Sequence, residues 1–196
     1  DSALRELEAS ILKAEDELKA IAQKLHTARQ AVCEELEQRV TMLLQQLGME
    51  DAVFQVEITP TEEFTEHGMD SVAFLFTANR NTRPAAIERI ASGGELSRVM
   101  LALKAILAER MKLPTVIFDE IDTGVSGRIA DAMGDIIASL AQSMQVIDIT
   151  HLPQVAAKRG THFVVYKEEG RSNIRELNSA ERVDEIAKML SGSTIT

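Results

Sequence analysis

Apolar residues recur through the first 47 positions at alternating steps of three and four, which is the a/d spacing of a heptad repeat. The stripe consists of Leu4, Leu7, Ile11, Ala14, Leu18, Ile21, Leu25, Ala28, Val32, Leu36, Val40, Leu43 and Leu47. After Val32 the steps become four and four, a stutter that locally unwinds a left-handed supercoil. Because no Gly or Pro occurs before Gly48, the pattern predicts one long helix.

Two arrangements of this helix are open. It could lie on its own domain as an amphipathic helix. A narrow stripe that persists for about four heptads favours a coiled coil instead. The chain contains one strand of such a coil, so the partner helix is expected to come from elsewhere.

The rest of the chain alternates between apolar runs and helical patterns. Strands are predicted at 53–58 and 72–77, joined by a polar turn region with Pro60, Gly68 and Asp70. The later predicted elements are a helix at about 95–110, a strand at 115–119, a helix at about 126–142, a strand at 145–149, a short helix from Pro153, strands near 162–167 and 171–177, and a helix near 181–190. This order predicts an α/β fold with a buried, largely parallel sheet flanked by helices, preceded by a long helix and a β-hairpin. The predicted domains are residues 1–48 and 49–196.

Composition narrows the class of protein. The 196 residues are 45% hydrophobic and 27% charged, as in a globular protein, and a net charge of -10 does not predict nonspecific attraction to nucleic acid. The single Cys33 excludes an internal disulfide and a cysteine-based zinc site. Apolar runs too short for a membrane span, with no signal peptide, predict a cytoplasmic protein, with nucleoid association left open. The start without Met and the polar end at Thr196 favour an excised fragment.

Two adjacent carboxylates end a predicted buried strand at Asp119 and Glu120. In open α/β sheets the ligand crevice lies beyond the carboxyl ends of the strands. An Asp at this place helps to hold Mg²⁺ in P-loop nucleotidases, and a following Glu is placed to polarise water. Solvated acids at a strand end are the simpler alternative.

A second motif opens the helix that begins near residue 95. Ser92 and Glu95 form an S-x-x-E capping box, which explains both residues without any ligand. Capping does not explain Gly93 and Gly94, since Gly is costly in the first turn of a helix. Free backbone N–H groups at a helix N-terminus suit close approach by a phosphate.

His151 follows the strand at 145–149 and precedes Pro153. A lone His is usually structural, but this position puts it on the same rim as the Asp119–Glu120 pair. The intervening loop 122–127, Asp-Thr-Gly-Val-Ser-Gly, is otherwise read as an ordinary strand-to-helix turn with Ser126 as N-cap.

The order Ser-Gly-Gly-Glu, Asp-Glu, Asp-loop and His resembles the second half of an ABC-type ATPase, with signature motif, Walker B, D-loop and switch histidine. Within that class, the stretches 89–98 (RIASGGELSR), 118–127 (FDEIDTGVSG) and 150–156 (THLPQVA) resemble the SMC-like RecN family of bacterial DNA repair proteins. The first signature position is Ala91, where many ABC proteins have Leu.

This resemblance implies ATP and Mg²⁺ as cofactors. Asp119 would help to hold Mg²⁺, Glu120 would activate water, and His151 would contact the γ-phosphate. The signature residues are assigned to cofactor binding in the site of a second head, and they are Ser92, Gly93, Gly94 and Glu95. Asp122 would lie where the two heads meet, and residues 1–47 would be the returning arm of an antiparallel coiled coil.

The chain contains no G-x-x-x-x-G-K-[ST] loop and no Gly-Lys pair. That loop wraps the phosphates and supplies the Lys that neutralises them. We therefore expect negligible ATP hydrolysis by this chain alone, and expect the loop to come from an N-terminal lobe of the same protein.

The implied function is ATP binding and hydrolysis at a dimer of heads, in recombinational repair of DNA double-strand breaks. The implied partners are the Walker A lobe, a second head and DNA, without a membrane. The alternatives are a non-enzymatic coiled-coil interaction module, and an ABC head of another branch, such as an SMC or Rad50-type protein or a transporter cassette.

Overall fold

The structure is a computed structural model that describes residues 2–90, 92–119 and 121–191. The helices are α1 (Ser2–Gln46), α2 (Gly93–Met111), α3 (Gly127–Leu140), α4 (Pro153–Ala156) and α5 (Ser179–Ser191), with a short 3₁₀ helix at Ile87–Arg89. The strands are β1 (Val53–Thr65), β2 (Gly68–Thr77), β3 (Ala85–Ala86), β4 (Thr115–Asp119), β5 (Gln145–Ile149), β6 (Phe163–Glu168) and β7 (Arg171–Glu176). No helix in these ranges has a stretch long and apolar enough to cross a bilayer.

The chain divides into two compact units. The first unit comprises Asp1–Met42 and Asp51–Ile90, and the second comprises Leu43–Glu50 and Ala91–Thr196. The predicted domain boundary between residues 48 and 49 stays a prediction, since it describes the chain by function rather than by contact.

In the first unit, β1 and β2 form an antiparallel hairpin, and β3 adds to the free edge of β2. The strands run further than predicted, because Pro60 and Asp70 pair opposite each other inside the hairpin, with a register shift between Pro60 and Thr65. The predicted polar turn region was therefore too wide. Its polar residues are accommodated because α1 holds this part of the hairpin: both carboxylate oxygens of Asp70 are bonded, to His26 and to Arg29.

Helix α1 uses two different stripes. One stripe faces the hairpin within the first unit, where Ala22 is buried and Glu37 accepts a hydrogen bond from the backbone N–H of Val56 at 2.7 Å. The heptad stripe remains exposed along most of its length, at Leu4, Leu7, Ile11, Leu18, Ile21, Leu25 and Val32. The helix therefore lies on its own hairpin and also presents the predicted seam to solvent.

In the second unit, β4 and β5 pair in parallel and in register over the bounds predicted for them. The strands β6 and β7 form a separate antiparallel pair. The core lies between α2, α3 and one face of the parallel pair, and it consists of Leu47, Leu101, Phe118, Ile121, Val125, Met133, Ile137 and Val155.

The parallel pair is buried on one face only. Alternate side chains of a strand point to opposite faces, and Phe118 is fully buried on the core side. On the other side Ile117, Ile147 and Ile149 are 57%, 44% and 52% exposed. The expectation of a buried sheet is thus wrong for this face, because none of the described helices packs against it.

Candidate functional site

The carboxyl ends of β4 and β5 bring two of the predicted site residues to one rim. Asp119 is the last residue of β4, and its Cα partner on β5 is Ile149. His151 follows that partner by two residues, and both side chains are exposed. Their placement is compatible with contact to one bound nucleotide. The predicted catalytic residue Glu120 lies outside the described residues.

Asp122 connects the 122–127 loop to the turn after β5. Asp122 is 2% exposed, and Thr150 Oγ1 donates a hydrogen bond to its Oδ2. His151 Nδ1 lies 3.4 Å from Asp122 Oδ1. The carboxylate thus lies in the interior of the second unit, next to His151. The location of Asp122 between two heads stays a prediction. Because its side chain is buried, the backbone of the 122–127 loop would have to make the contact with a second head.

Asp148 is a charged residue of this region that sequence reasoning missed. It lies on β5 opposite Phe118, on the side of the sheet that faces the core. Burial, followed by the nearby negative charge of Asp122, raises the pKa of Asp148 to about 6. An Asp inside the otherwise apolar run 146–149 was the available signal.

The start of α2 shows why its two glycines differ. Ser92 is the N-cap and its Oγ accepts from Glu95 N at 3.4 Å, so the predicted cap forms. A Cβ on Gly94 would lie 3.2 Å from Gly124 O, whereas a Cβ on Gly93 would meet nothing within 4 Å. Gly94 therefore permits close backbone packing against the 122–127 loop. Gly93 leaves open space around the N-terminus, which is where a phosphate would need it.

Arg98 anchors the start of this helix through two hydrogen bonds to backbone carbonyls. Its Nε donates to Gly94 O at 2.9 Å and its Nη1 donates to Leu47 O at 3.2 Å. The guanidinium thereby ties the first turn of α2 to the chain just after α1. Three segments of the second unit are thus linked by contacts, because the start of α2 approaches the 122–127 loop and Asp122 of that loop contacts Thr150 and His151.

The donor set fits a metal that arrives with its nucleotide. In the described ranges no three His, Cys, Asp or Glu side chains cluster so as to hold an ion. Mg²⁺ is usually bound by one or two carboxylates together with substrate phosphates and water. A single exposed carboxylate at a strand end, such as Asp119, meets that requirement.

Comparison with known proteins relates the chain to one group of repair proteins. No family model matches it. It is 44% identical over 195 residues to DNA repair protein RecN of Rickettsia conorii, covering 97% of this chain and 36% of that protein. It is 38% identical over 204 residues to DNA repair protein RecN of Halalkalibacterium halodurans, covering 100% of this chain and 36% of that protein. The chain thus spans about a third of the length of these curated relatives.

Solved structures share the fold at low sequence identity. The Smc head domain with a coiled coil and joint from Pyrococcus yayanosii superposes with a TM-score of 0.72 at 18% identity, covering 95% of this chain and 35% of that one. A structure from work on ATP-driven dimerization and DNA-stimulated activation of SMC ATPases gives a TM-score of 0.57 at 18% identity, covering 83% of this chain and 94% of that one. The chain is therefore similar in sequence to about a third of the RecN proteins that it matches, and it shares the fold of an SMC head domain.

Proposed function

We propose that this chain is the signature and Walker B half of an ATPase head that acts in recombinational repair of DNA double-strand breaks. ATP would be bound and hydrolysed where two heads meet, each closing the other's site. The observation that carries the proposal is the placement of Asp119 and His151 at the carboxyl ends of two neighbouring parallel strands, where open α/β sheets bind ligands.

Each of these motif residues would have a separate role in ATP binding or hydrolysis. Asp119 would hold the Mg²⁺ of MgATP, which neutralises phosphate charge when it is bound. Glu120 would orient and deprotonate the attacking water, and His151 would donate a hydrogen bond to the γ-phosphate. On the other head, Ser92 and Gly93 would offer the N-terminus of α2 to the same phosphate, with Gly94 and Glu95 shaping that turn. The 122–127 loop, which begins at Asp122, would lie between the heads.

A second lobe would complete the nucleotide site. The chain has no Gly-Lys pair, so the phosphate-wrapping loop and its Lys would come from other polypeptide. The bare face of the parallel pair, with Ile117, Ile147 and Ile149, gives that lobe an apolar surface to cover. Burying such a face is worth roughly 25 cal/mol per Å² of apolar area.

The exposed heptad stripe of α1 would pair with a second helix, as the other arm of an antiparallel coiled coil. Residues such as Leu4 at 59% and Ile21 at 62% exposed are costly in water and gain by burial in a seam. The whole protein would work in the cytoplasm on DNA, with no part in a membrane. An interaction module without enzymatic activity is the alternative that the two-striped helix supports.

A mixing experiment tests the proposal. The chain alone should show negligible ATP hydrolysis, and addition of a RecN Walker A lobe should produce it. Glu120→Gln should then abolish turnover while leaving ATP-dependent dimers, because it removes the base and keeps the binding surfaces. Glu168→Gln, an exposed residue at the end of β6, is the matched control and should change turnover by less than about twofold. Folded, associated lobes that remain inactive would favour the interaction module.

A further inference from the structure

The hydroxyl of Thr150 connects the 122–127 loop to the turn that carries His151. Thr150 Oγ1 donates to Asp122 Oδ2, and the same oxygen accepts a hydrogen bond from Leu152 N at 3.0 Å. The hydroxyl therefore donates its one proton to the loop and accepts a hydrogen bond from the backbone just beyond His151. A Ser hydroxyl could supply both functions at this position, whereas Val or Ala could supply neither.

The hydroxyl matters because Asp122 has few other partners. Within the described part of the chain, Asp122 Oδ1 has no hydrogen bond, and the Nδ1 atom of His151 lies 3.4 Å from it. A carboxylate that is 3% exposed and loses one of its donors incurs the full cost of desolvation, so the loop or the turn must rearrange. The position of His151 therefore depends on Thr150, although His151 itself is 67% exposed.

The same contacts extend to the signature helix. Gly124, two residues after Asp122, would place a Cβ only 3.5 Å from the Cα of Gly94. A shift of the loop at Asp122 would thus be felt at the N-terminus of α2 as well as at His151. The three contacts lie in one unit and need no other polypeptide.

We propose that Thr150 is a positioning residue for ATP hydrolysis, whose hydroxyl fixes His151 and couples it through Asp122 to the signature turn at Gly94. This inference rests on the proposed function. Thr150 would touch neither nucleotide nor metal. Its removal should therefore affect the rate of the chemical step more than the binding of ATP.

The first part of the test uses the chain by itself. Thr150→Val removes the hydroxyl with little change of shape, whereas Thr150→Ser keeps it. Amide hydrogen exchange, read by NMR, should become at least about tenfold faster at Leu152 in Thr150→Val and stay within about twofold in Thr150→Ser. Unchanged exchange at Leu152 in a folded Thr150→Val variant would show that the Thr150 hydroxyl does not fix this turn, and would overturn the inference. Thr150→Ala replaces the valine variant if that one does not fold.

The second part uses the chain assembled with the Walker A lobe. Thr150→Val should lower kcat by at least about tenfold with KM for MgATP within about twofold, and Thr150→Ser should restore most of the turnover. Faster exchange without loss of kcat would reduce Thr150 to a purely structural residue and refute the inference. An inactive wild-type assembly would instead refute the proposed function. The exchange result would still decide whether the Thr150 hydroxyl fixes the turn that carries His151.

Discussion

Within the described residues, each unit contains a carboxylate whose side chain is almost fully buried, Asp70 in the first and Asp122 in the second, and these two are partnered very differently. In the first unit Asp70 is 2% exposed and is bonded by Arg29 Nη1 at 2.9 Å and by His26 Nδ1 at 2.6 Å. In the second unit Asp122 is 3% exposed and has a hydroxyl on one oxygen and a more distant imidazole near the other. Buried carboxylates with full sets of donors are usually structural, whereas incompletely paired ones mark candidate sites.

The difference also shows in the electrostatics around each group. The hydrogen bonds from Arg29 and then His26 hold the pKa of Asp70 below its usual range. Near Asp122, by contrast, lies a second acid, Asp148, whose pKa is raised first by burial and then by the negative charge of Asp122. One unit concentrates opposite charges to hold a hairpin to a helix. The other keeps like charges close together beside the rim where phosphates are proposed to bind.

The largest expected effect follows from removing the incompletely paired carboxylate. In the assembly with the Walker A lobe, Asp122→Ala should lower ATP turnover by about a hundredfold, because both Thr150 and His151 lose their shared partner. Steady-state kinetics measure this, with Asp184→Ala on α5 as the control. Turnover within about twofold of wild type would place Asp122 with the structural carboxylates.

Removing the fully paired carboxylate should affect folding and leave chemistry alone. Asp70→Asn should raise amide exchange in the outer part of β1 and β2 by roughly tenfold, with turnover of the assembly unchanged. Since the pKa of Asp70 is lowered in the folded state, its contribution to stability is present above the usual carboxylate range and is lost as pH falls through the folded value. The wild-type hairpin should therefore lose protection in acid, and Asp70→Asn should not show that loss. Equal acid sensitivity in the wild type and in Asp70→Asn would contradict the role of the bonds from His26 and Arg29 to Asp70 in holding the hairpin to α1.

The crowded acid should have the opposite pH dependence. Because the pKa of Asp148 is about 6 when folded and 3.8 ordinarily, the folded state is penalised increasingly as pH rises through that interval. Asp148→Asn should raise the free energy of unfolding by about 1–2 kcal/mol at pH 8 and by almost nothing near pH 3.5. Urea unfolding at the two pH values measures this. A destabilised variant at pH 8 would show that the charge is needed in the fold.

The smallest expected effect on stability concerns the unpartnered stripe of α1. Ile11→Gln, at a position that is 50% exposed, should change the stability of the chain by less than about 0.5 kcal/mol. It should nevertheless weaken pairing with a peptide of the other arm, because the seam loses a buried apolar group. Ala22→Gln is the matched test of the other stripe and should destabilise the first unit, where Ala22 is 5% exposed. Calorimetry of arm binding distinguishes the two stripes.

Much of the fold follows from local patterns. The bounds of β4 and β5 were predicted because each is a largely apolar run that is bounded by polar residues or turn signals. The heptad spacing likewise predicted α1, and Ser92 with Glu95 predicted where α2 begins.

Contacts between distant positions could not be read in this way. Thr150 and Asp122 are 28 residues apart, and their hydrogen bond depends on how two loops meet after the strands have paired. The clamp at Asp70 is similar, since its partners lie 41 and 44 residues away on α1. The polar residues of the hairpin predicted a wide turn. The strands continue instead, and the residues of α1 that stabilise them could not be recognised from the hairpin sequence alone.

The most direct measurement is a crystal structure of the chain assembled with the Walker A lobe and a slowly hydrolysed ATP analogue with Mg²⁺. We expect one bound MgATP analogue to contact Asp119 and His151 of one copy and Ser92 and Gly93 of another. A nucleotide bound away from that rim, or held with the α2 N-terminus of both copies facing solvent, would contradict it.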